Sequence, residues 1–307
     1  LDIEAMPETE LPKLTVYTRW NGASPSAIQR SITLPVEEAA AQCRGVEEIE
    51  STNSYLMAQE APSPGLIRIA LTDNQVAGRG RHGRVWQSPP GSGIALSAGY
   101  TFAEQPADLA ALTLAAGLGV VGALGSIGIP GVQLKWPNDL IADNGKLGGI
   151  LTETRPLPGG AIMVVTGLGL NLRLDQQVVS ELASEGARPV VDLAGFAGEL
   201  PCRNELTARL IEGLCATFLE FEVSGFSCYM ERWAEIDWLR GRSLEVETPA
   251  SRLRGTGAGI GADGALLVVT ESGEVSSLPG VPCAEPHDYE VYAVFDVDFD
   301  AFPGDAA

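Results

Sequence analysis

The feature of this sequence that most constrains its fold is a long run without a charged side chain, from Leu109 to Leu134. By length alone, such a run could span a membrane. Six of its positions are glycine, much of the remainder is alanine, and Pro130 interrupts it. Small residues contribute little to membrane insertion, and no cationic cluster flanks either end. We therefore predict a buried helix at residues 107–126 that packs on a sheet.

The composition is that of a folded and strongly acidic protein. Of its 307 residues, 45% are hydrophobic and 20% are charged, with a formal net charge of −20. This acidity argues against nucleic acid or an anionic membrane as a partner, because both attract basic surfaces. The five cysteines show no C-x-x-C spacing, which indicates a reducing cytoplasm and no zinc site. The chain has two histidines, which argues against a histidine metal centre and against a Ser-His-Asp triad.

Differences in hydrophobic periodicity and turn signals divide the chain into four segments. Residues 1–45 have no clear period and form an N-terminal extension of unclear structure. Residues 46–240 alternate helical and β-rich patterns, which predicts an α+β domain with a mixed sheet packed with helices. Short strands with Asp-Gly and Ser-Gly turns predict a small SH3-like β-barrel at 241–280. Residues 281–307 form an acidic tail that we expect to be partly disordered.

Apolar runs and turn signals place the elements of the large domain. Asp143-Asn144-Gly145 predicts a tight turn between two strands. An apolar pattern at helical spacing predicts a core helix at 204–222. Strands are expected at 66–71, 94–102, 132–136, 139–142, 147–154 and 161–171.

Residues 78–83, Gly-Arg-Gly-Arg-His-Gly, match the G-x-G-x-x-G pattern of dinucleotide-binding folds. That motif must open a helix, whereas here the Pro89-Pro90-Gly91 run soon follows and cannot carry one. The dinucleotide interpretation therefore fails. Three arginines between 79 and 84 instead indicate a mobile glycine loop that encloses an anion.

Lysine is scarce in this chain, and two of its three lysines, Lys135 and Lys146, are close in sequence. Lys146 directly follows the predicted turn, and the adjacent Gly148-Gly149 leaves room for a ligand against the backbone. A further glycine pair, Gly167 and Gly169, lies in an apolar strand. Taken singly, these features also fit solvated lysines and packing glycines. Together they indicate a pocket for an anionic ligand, suited to phosphoryl or nucleotidyl transfer.

Five motifs in this chain resemble, in order and spacing, those of biotin protein ligases. They are Ser51-Thr52-Asn53, Gln75 to Trp86, Lys135-Trp136-Pro137-Asn138-Asp139, Lys146 to Leu151 and Gly167 to Asn171. The similarity spans about 46–280 and implies a class II synthetase-like ligase domain with a small C-terminal β domain. Residues 1–45 do not resemble the winged helix-turn-helix of larger members, which implies a monofunctional ligase. His82 stands where these ligases commonly carry another arginine.

The resemblance implies a biotin–[acetyl-CoA-carboxylase] ligase. Such an enzyme joins biotin and ATP into biotinyl-5′-adenylate, releases pyrophosphate, and then transfers biotin to a lysine of a biotin carboxyl carrier protein. Mg²⁺ would accompany the ATP phosphates rather than occupy a metal site of the protein. Two other functions fit the same residues, namely a lipoate–protein ligase of the same fold and a biotin-binding sensor without turnover.

Site residues follow from the resemblance. Arg81, Lys146 and Asp139 would be catalytic, with Lys146 on the biotin carboxylate and α-phosphate and Asp139 orienting the acceptor lysine. The biotin site would comprise Ser51, Thr52, Asn53, Gln75, Gly78, Arg79, Gly80, Arg81, Lys146, Gly149, Gly167 and Gly169. The nucleotide would contact Arg81, Arg84, Trp86, Lys146 and Asn171, of which Asn171 would read the adenine. We expect a cytoplasmic enzyme without nucleic-acid or membrane partners. Its oligomeric state stays open, a homodimer being one arrangement compatible with the sequence.

Overall fold

A computed structural model describes residues 16–19, 49–87, 89–175, 179, 189–247, 252–279 and 290–293. Its α-helices are α1 (Thr52–Ala58), α2 (Leu112–Ser126), α3 (Leu193–Ala197), α4 (Arg203–Ser224) and α5 (Met230–Ile236). Its strands are β1 (Val16–Arg19), β2 (Leu66–Thr72), β3 (Gly93–Phe102), β4 (Gln133–Lys135), β5 (Asp139–Ala142), β6 (Gly145–Pro156), β7 (Ile162–Asn171), β8 (Ser243–Glu247), β9 (Arg252–Ile260), β10 (Leu266–Thr270), β11 (Val275–Leu278) and β12 (Glu290–Ala293).

The large domain is built on a seven-stranded sheet with the order β1-β2-β3-β7-β6-β5-β4. All of its strand pairs are antiparallel. The α+β class expected from the sequence is confirmed, but the expectation of a mixed sheet is wrong. The β5–β6 connection shows the physical reason for the antiparallel arrangement, because Asp143 and Asn144 both have positive φ there. A two-residue turn of this kind joins neighbouring antiparallel strands.

Helices α2 and α4 cover one face of this sheet and form the hydrophobic core with it. Gly119 of α2 and Gly213 of α4 meet so closely that a Cβ on Gly119 would lie 2.8 Å from the Gly213 carbonyl oxygen. The uncharged run is thus a core helix, preceded by a 3₁₀ turn at Leu109–Ala111. In the part of the chain that the structure describes, Leu109–Ser126 is the one helical stretch that is long and apolar enough to cross a membrane. Its Gly119 instead serves the close packing of two helices.

The C-terminal strands form a second sheet with the order β11-β10-β9-β8-β12. Its pairings are antiparallel, as expected for hairpin-connected strands. Among the described residues this sheet is open, because β11 and β12 are its two edges, so the expected closure into an SH3-like barrel is not observed. Strand β12 lies within the acidic segment 281–307 and β1 within 1–45, so each of these segments contributes an edge strand.

The two sheets are joined next to the lysine-bearing strands. The indole Nε1 of buried Trp136 donates to the carbonyl oxygen of Gly264, at 3.0 Å. The backbone N–H of Trp238 donates to the carbonyl of Leu134, at 2.9 Å. Gly264 has a φ of +79°, and a Cβ there would lie 2.6 Å from that of Ala111. The C-terminal sheet is therefore held against the end of β4 and the start of the core helix.

Candidate active site

The face of the large sheet that points away from the core carries unusually small residues. Gly149 of β6 pairs with Gly169 of β7, and Gly167 of β7 pairs with Ser97 of β3. Larger side chains from outside the sheet fill the space above them. A Cβ at Gly167 would collide with the amide of Asn53, and one at Gly169 with the indole of Trp86. Two of the glycines that the sequence singled out are thus required because other site residues lie directly on the sheet.

The N-terminus of α1 places a cluster of buried polar groups over this face. Ser51 caps the helix, its hydroxyl accepting from the Ser54 N–H at 3.4 Å. The Oε1 of Gln75 accepts from the backbone N–H and the hydroxyl of Thr52, at 2.9 and 3.2 Å. Ser97 Oγ lies 2.6 Å from Thr52 Oγ1 and 2.6 Å from Asn53 Oδ1. The structure therefore brings together four predicted biotin-site residues and adds Ser97, which the sequence analysis missed.

Glu153 is a second residue that the sequence analysis missed. It lies on β6, and its Oε2 accepts from the Asn53 amide at 2.8 Å. Both of its carboxylate oxygens lie 2.9 Å from Nη2 of Arg79. Strand alternation in the sequence could have indicated Glu153, because residues 149, 151 and 153 of one strand share a face. A carboxylate thus connects the polar cluster to the arginine loop.

The arginine loop is a tight hairpin between Gly78 and Trp86. The Trp86 N–H donates to the Gly78 carbonyl at 2.9 Å, and the Gly80 N–H donates to the Arg84 carbonyl at 2.7 Å. A 3₁₀ turn at Arg81–Gly83 forms the tip. A Cβ at Gly78 would collide with the Trp86 carbonyl oxygen, so this glycine is needed by the hairpin itself. The side chain of Arg84, which directly follows the tip, is exposed to solvent, and that of Arg81 within the tip is half-buried.

A β-bulge brings the catalytic candidates Lys146 and Asp139 to one place. The pairing of β5 with β6 shifts at Leu140, which pairs with Gly148, whereas the next residue of β5 pairs with Lys146. Leu147 is left over, so Lys146 and Gly149 lie on the same face despite their odd separation. An ideal Cβ on Gly149 would be 3.7 Å from Lys146 Nζ.

In this position Lys146 Nζ lies 2.7 Å from Asp139 Oδ1. The ammonium of Lys135 lies 3.9 Å from the other carboxylate oxygen of Asp139. All three side chains are largely shielded, with 34% exposure at Lys146, 17% at Asp139 and 11% at Lys135. The excess positive charge of this group is suited to an anionic substrate, because partial burial limits screening by solvent.

Asn171, the predicted adenine reader, holds a backbone segment in the structure. Its Nδ2 donates to the Val191 carbonyl at 3.1 Å. The same segment pairs with the start of β6, since the Lys146 N–H donates to the Pro189 carbonyl at 2.7 Å and the Val191 N–H donates to the Lys146 carbonyl at 3.0 Å. Asn171 therefore helps to fix Lys146, and its contact with adenine stays a prediction. Trp86 has a buried Nε1 without a hydrogen-bond acceptor among the described residues, so this donor could serve a ligand.

Among the residues that the structure describes, the site does not contain the ligands of a resident metal ion. Within the described ranges, no group of three or more His, Cys, Asp or Glu side chains could hold one. Magnesium bound to a nucleotide needs only one or two carboxylates, because phosphate oxygens and water complete its octahedron. The arrangement is thus compatible with magnesium that arrives with ATP as part of the substrate.

Comparisons with known proteins identify the family and the fold. The model of the biotin/lipoate A/B protein ligase family matches residues 46–171. The chain is 34% identical over 222 residues to the bifunctional ligase/repressor BirA of Escherichia coli, covering 72% of this chain and 67% of that protein. It is 35% identical over 181 residues to the biotin–[acetyl-CoA-carboxylase] ligase of Mycobacterium tuberculosis, covering 57% and 64%. The fold matches the biotin protein ligase from Aquifex aeolicus with a TM-score of 0.65 at 23% identity, covering 81% of this chain and 97% of that one.

The buried polar residues at the start of α1, which we call the head-group cluster, the arginine hairpin and Lys146 lie around one glycine-lined face of the sheet, an arrangement suited to a small acid and an anionic co-substrate. The chain belongs to the family of biotin protein ligases.

Proposed function

We propose that the protein activates biotin with ATP and then attaches it to a lysine of a biotin carboxyl carrier protein domain. The observation that carries this proposal is the position of Lys146, whose ammonium lies over Gly149 and beside Asp139 at one end of the glycine-lined face. The buried cluster around Thr52, Asn53 and Ser97 occupies the other part of the same face. One extended ligand with a polar head and a carboxylate tail fits such a face.

In the first half-reaction, an oxygen of the biotin carboxylate attacks the α-phosphorus of ATP. A new P–O bond forms, the bond from the α-phosphorus to the bridging oxygen of the β-phosphate breaks, and pyrophosphate leaves. This step needs no nucleophilic side chain, because the substrate supplies the nucleophile. Lys146 and Arg81 would hold the carboxylate and α-phosphate together and stabilise the charge of the transition state.

In the second half-reaction, the amine of the acceptor lysine attacks the acyl carbon of biotinyl-5′-adenylate. An amide bond forms, the bond between the acyl carbon and the phosphate oxygen breaks, and AMP leaves. Asp139 is suited to take the proton of the acceptor ammonium, since it is a carboxylate beside the site of transfer. The arginine hairpin would cover the adenylate, because the mixed anhydride hydrolyses in water.

The polar cluster favours biotin over lipoate. The head group of biotin is a cyclic urea with N–H donors and a carbonyl acceptor, whereas the dithiolane head of lipoate has neither. The hydroxyls of Thr52 and Ser97 and the amide of Asn53 are buried and bonded to one another or to neighbouring residues, so what they offer a ligand is oxygen lone pairs, which the N–H donors of a urea can satisfy and a dithiolane cannot. The buried polar atoms at α1 therefore select a hydrogen-bonding head group.

A direct test combines the purified protein with biotin, ATP and magnesium and measures pyrophosphate. Release is expected with biotin and not with lipoate, and a carrier domain added to the mixture should gain the mass of one biotinyl group. Binding of biotin without pyrophosphate release would identify a sensor and contradict the proposal. Preferential use of lipoate in a competition would identify the other ligase class. The cytoplasmic location stays a prediction, which fractionation of cells that express the protein would check.

A further inference from the structure

We propose that Glu153 is a positioning residue for the activation step, which fixes the amide of Asn53 and anchors the arginine hairpin through Arg79. This inference rests on the proposed function, since it concerns how the same site holds its ligand. Glu153 belongs to none of the motifs by which the sequence points to biotin ligation. Its role follows from its two partners, which belong to the two parts of the site that must act together.

The first partner is Asn53, whose amide is oriented by Glu153. The Nδ2 group donates to the Leu151 carbonyl at 3.1 Å and to Glu153 Oε2 at 2.8 Å. The Oδ1 atom lies 2.6 Å from Ser97 Oγ. Both N–H groups of the amide are thus occupied, and only an oxygen lone pair remains for a ligand. Without the carboxylate, the amide loses its charge-assisted hydrogen bond and can rotate.

The second partner is Arg79, which lies in the first limb of the hairpin. Its Nη2 donates to both carboxylate oxygens of Glu153 at 2.9 Å. The side chain of Arg79 is 45% exposed and that of Glu153 is 19% exposed. An ion pair at such exposure adds little to global stability. The ion pair nevertheless fixes the first limb of the hairpin to β6. There it lies next to Asn53 of the head-group cluster.

Arg155 provides a natural comparison on the same strand and the same face. Its guanidinium donates to the carbonyls of Met57 and Gln59, at 2.5 and 2.9 Å. It therefore holds the C-terminal end of α1, as Glu153 holds the N-terminal end. Arg155 has no contact with the hairpin or with Asn53 among its hydrogen bonds. A substitution of Arg155 reports the effect of loosening α1 without disturbing the proposed coupling.

The test uses three variants in the full chain, Glu153→Gln, Glu153→Ala and the matched control Arg155→Gln. Glu153→Gln keeps an acceptor for Asn53 but removes the anionic partner of Arg79. We expect its KM for biotin to stay within about twofold, while the release of biotinyl-5′-adenylate into solution rises about two- to fivefold, as for an exposed ion pair. Glu153→Ala loses both contacts, and its KM for biotin should rise about tenfold. Arg155→Gln should lower the melting temperature and leave both quantities unchanged.

A double-mutant cycle between Glu153→Gln and Arg79→Gln separates the coupling from direct effects of either residue. If the ion pair anchors the hairpin, the double variant should release adenylate no faster than the worse single variant. Additive effects would overturn the anchoring role. Wild-type KM and adenylate retention in Glu153→Ala, or the same profile as Arg155→Gln, would overturn the whole inference. Absence of pyrophosphate release by the unmodified protein would instead contradict the proposed function, so the two failures are distinguishable.

Discussion

Lys146 and Asp139 form an ion pair of 2.7 Å across the β5–β6 hairpin, although each has a different task in the proposed reaction. In that proposal, Lys146 holds the α-phosphate during activation, and Asp139 takes the proton of the acceptor amine during transfer. The bulge at Leu147 holds both side chains on the same face. A phosphate that draws Lys146 away from Asp139 would therefore free the Asp139 carboxylate to accept the proton of the acceptor lysine. The two half-reactions should therefore respond differently to substitutions of these residues.

Replacement of Lys146 by alanine should lower the rate of pyrophosphate release by about a hundredfold or more, because a charge aimed at the transition state is lost. The fold should persist, since the side chain of Lys146 is one-third exposed and Asp139 keeps Lys135 at 3.9 Å. Stopped-flow pyrophosphate detection measures the rate, and urea unfolding measures the stability. Arg232→Ala is a suitable control, because Arg232 forms an exposed ion pair with Glu220 elsewhere on the surface. Near-normal rates in Lys146→Ala would show that Lys146 does not contact the reacting carboxylate and α-phosphate.

Replacement of Asp139 by asparagine should affect mainly the second half-reaction. The amide keeps the shape of the side chain but cannot accept the proton of the acceptor lysine. We expect the transfer of biotin from preformed adenylate to a carrier domain to slow by about a hundredfold, while adenylate formation changes by less than about tenfold. Single-turnover experiments that start from isolated biotinyl-5′-adenylate separate the two steps. If the rates of both steps fall equally, Asp139 acts only by positioning Lys146.

Local patterns in the sequence predicted most elements of the large domain. The Asp143-Asn144-Gly145 turn and the uncharged helix appear as expected, because each depends on residues that are neighbours in sequence. The strand direction was not predictable in this way. A mixed sheet was expected from alternating helical and β-rich patterns, and the short connections found in the structure permit antiparallel pairing instead.

The motifs indicated residues that the structure brings onto one face of the sheet, but they could not indicate the contacts between those residues. Ser97 and Glu153 have ordinary sequence surroundings, and their contacts with α1 arise from the pairing of β3, β7 and β6. The bulge at Leu147 was likewise invisible, because one unpaired residue in a strand leaves no compositional signal. In contrast, Gly167 and Gly169 stood out in the sequence, since close contact with Asn53 and Trp86 excludes any side chain there.

Replacement of Gly169 by alanine should damage the site through a single methyl group. A Cβ at this position collides with the indole of Trp86, which must move together with the end of the hairpin. We expect the free energy of unfolding to fall by about 1–3 kcal/mol and the KM for biotin or ATP to rise. Urea unfolding and steady-state kinetics measure these two effects.

A matched glycine on the surface of α2 supplies the control. A Cβ on Gly122 meets only the Arg232 guanidinium, at 3.7 Å. Gly122→Ala should therefore stabilise the helix by up to about 1 kcal/mol and leave KM unchanged. Equal behaviour of the two variants would mean that Trp86 does not rest on the sheet at Gly169.

Buried Asp237 should make stability depend on pH in a predictable direction. Desolvation raises its pKa above the ordinary value, although the Leu239 N–H donates to its Oδ1 at 2.9 Å. Because the folded protein holds this proton more tightly than the unfolded chain, the contribution of Asp237 to stability is present below the ordinary value near 3.8 and is lost as the pH rises through the raised pKa. Asp237→Asn keeps the acceptor for Leu239 without the buried charge. Urea unfolding at several pH values between about 4 and 8 should show the variant gaining stability relative to the unmodified protein as the pH increases. A constant difference across this range would mean that the carboxyl titrates alike in the folded and unfolded chains.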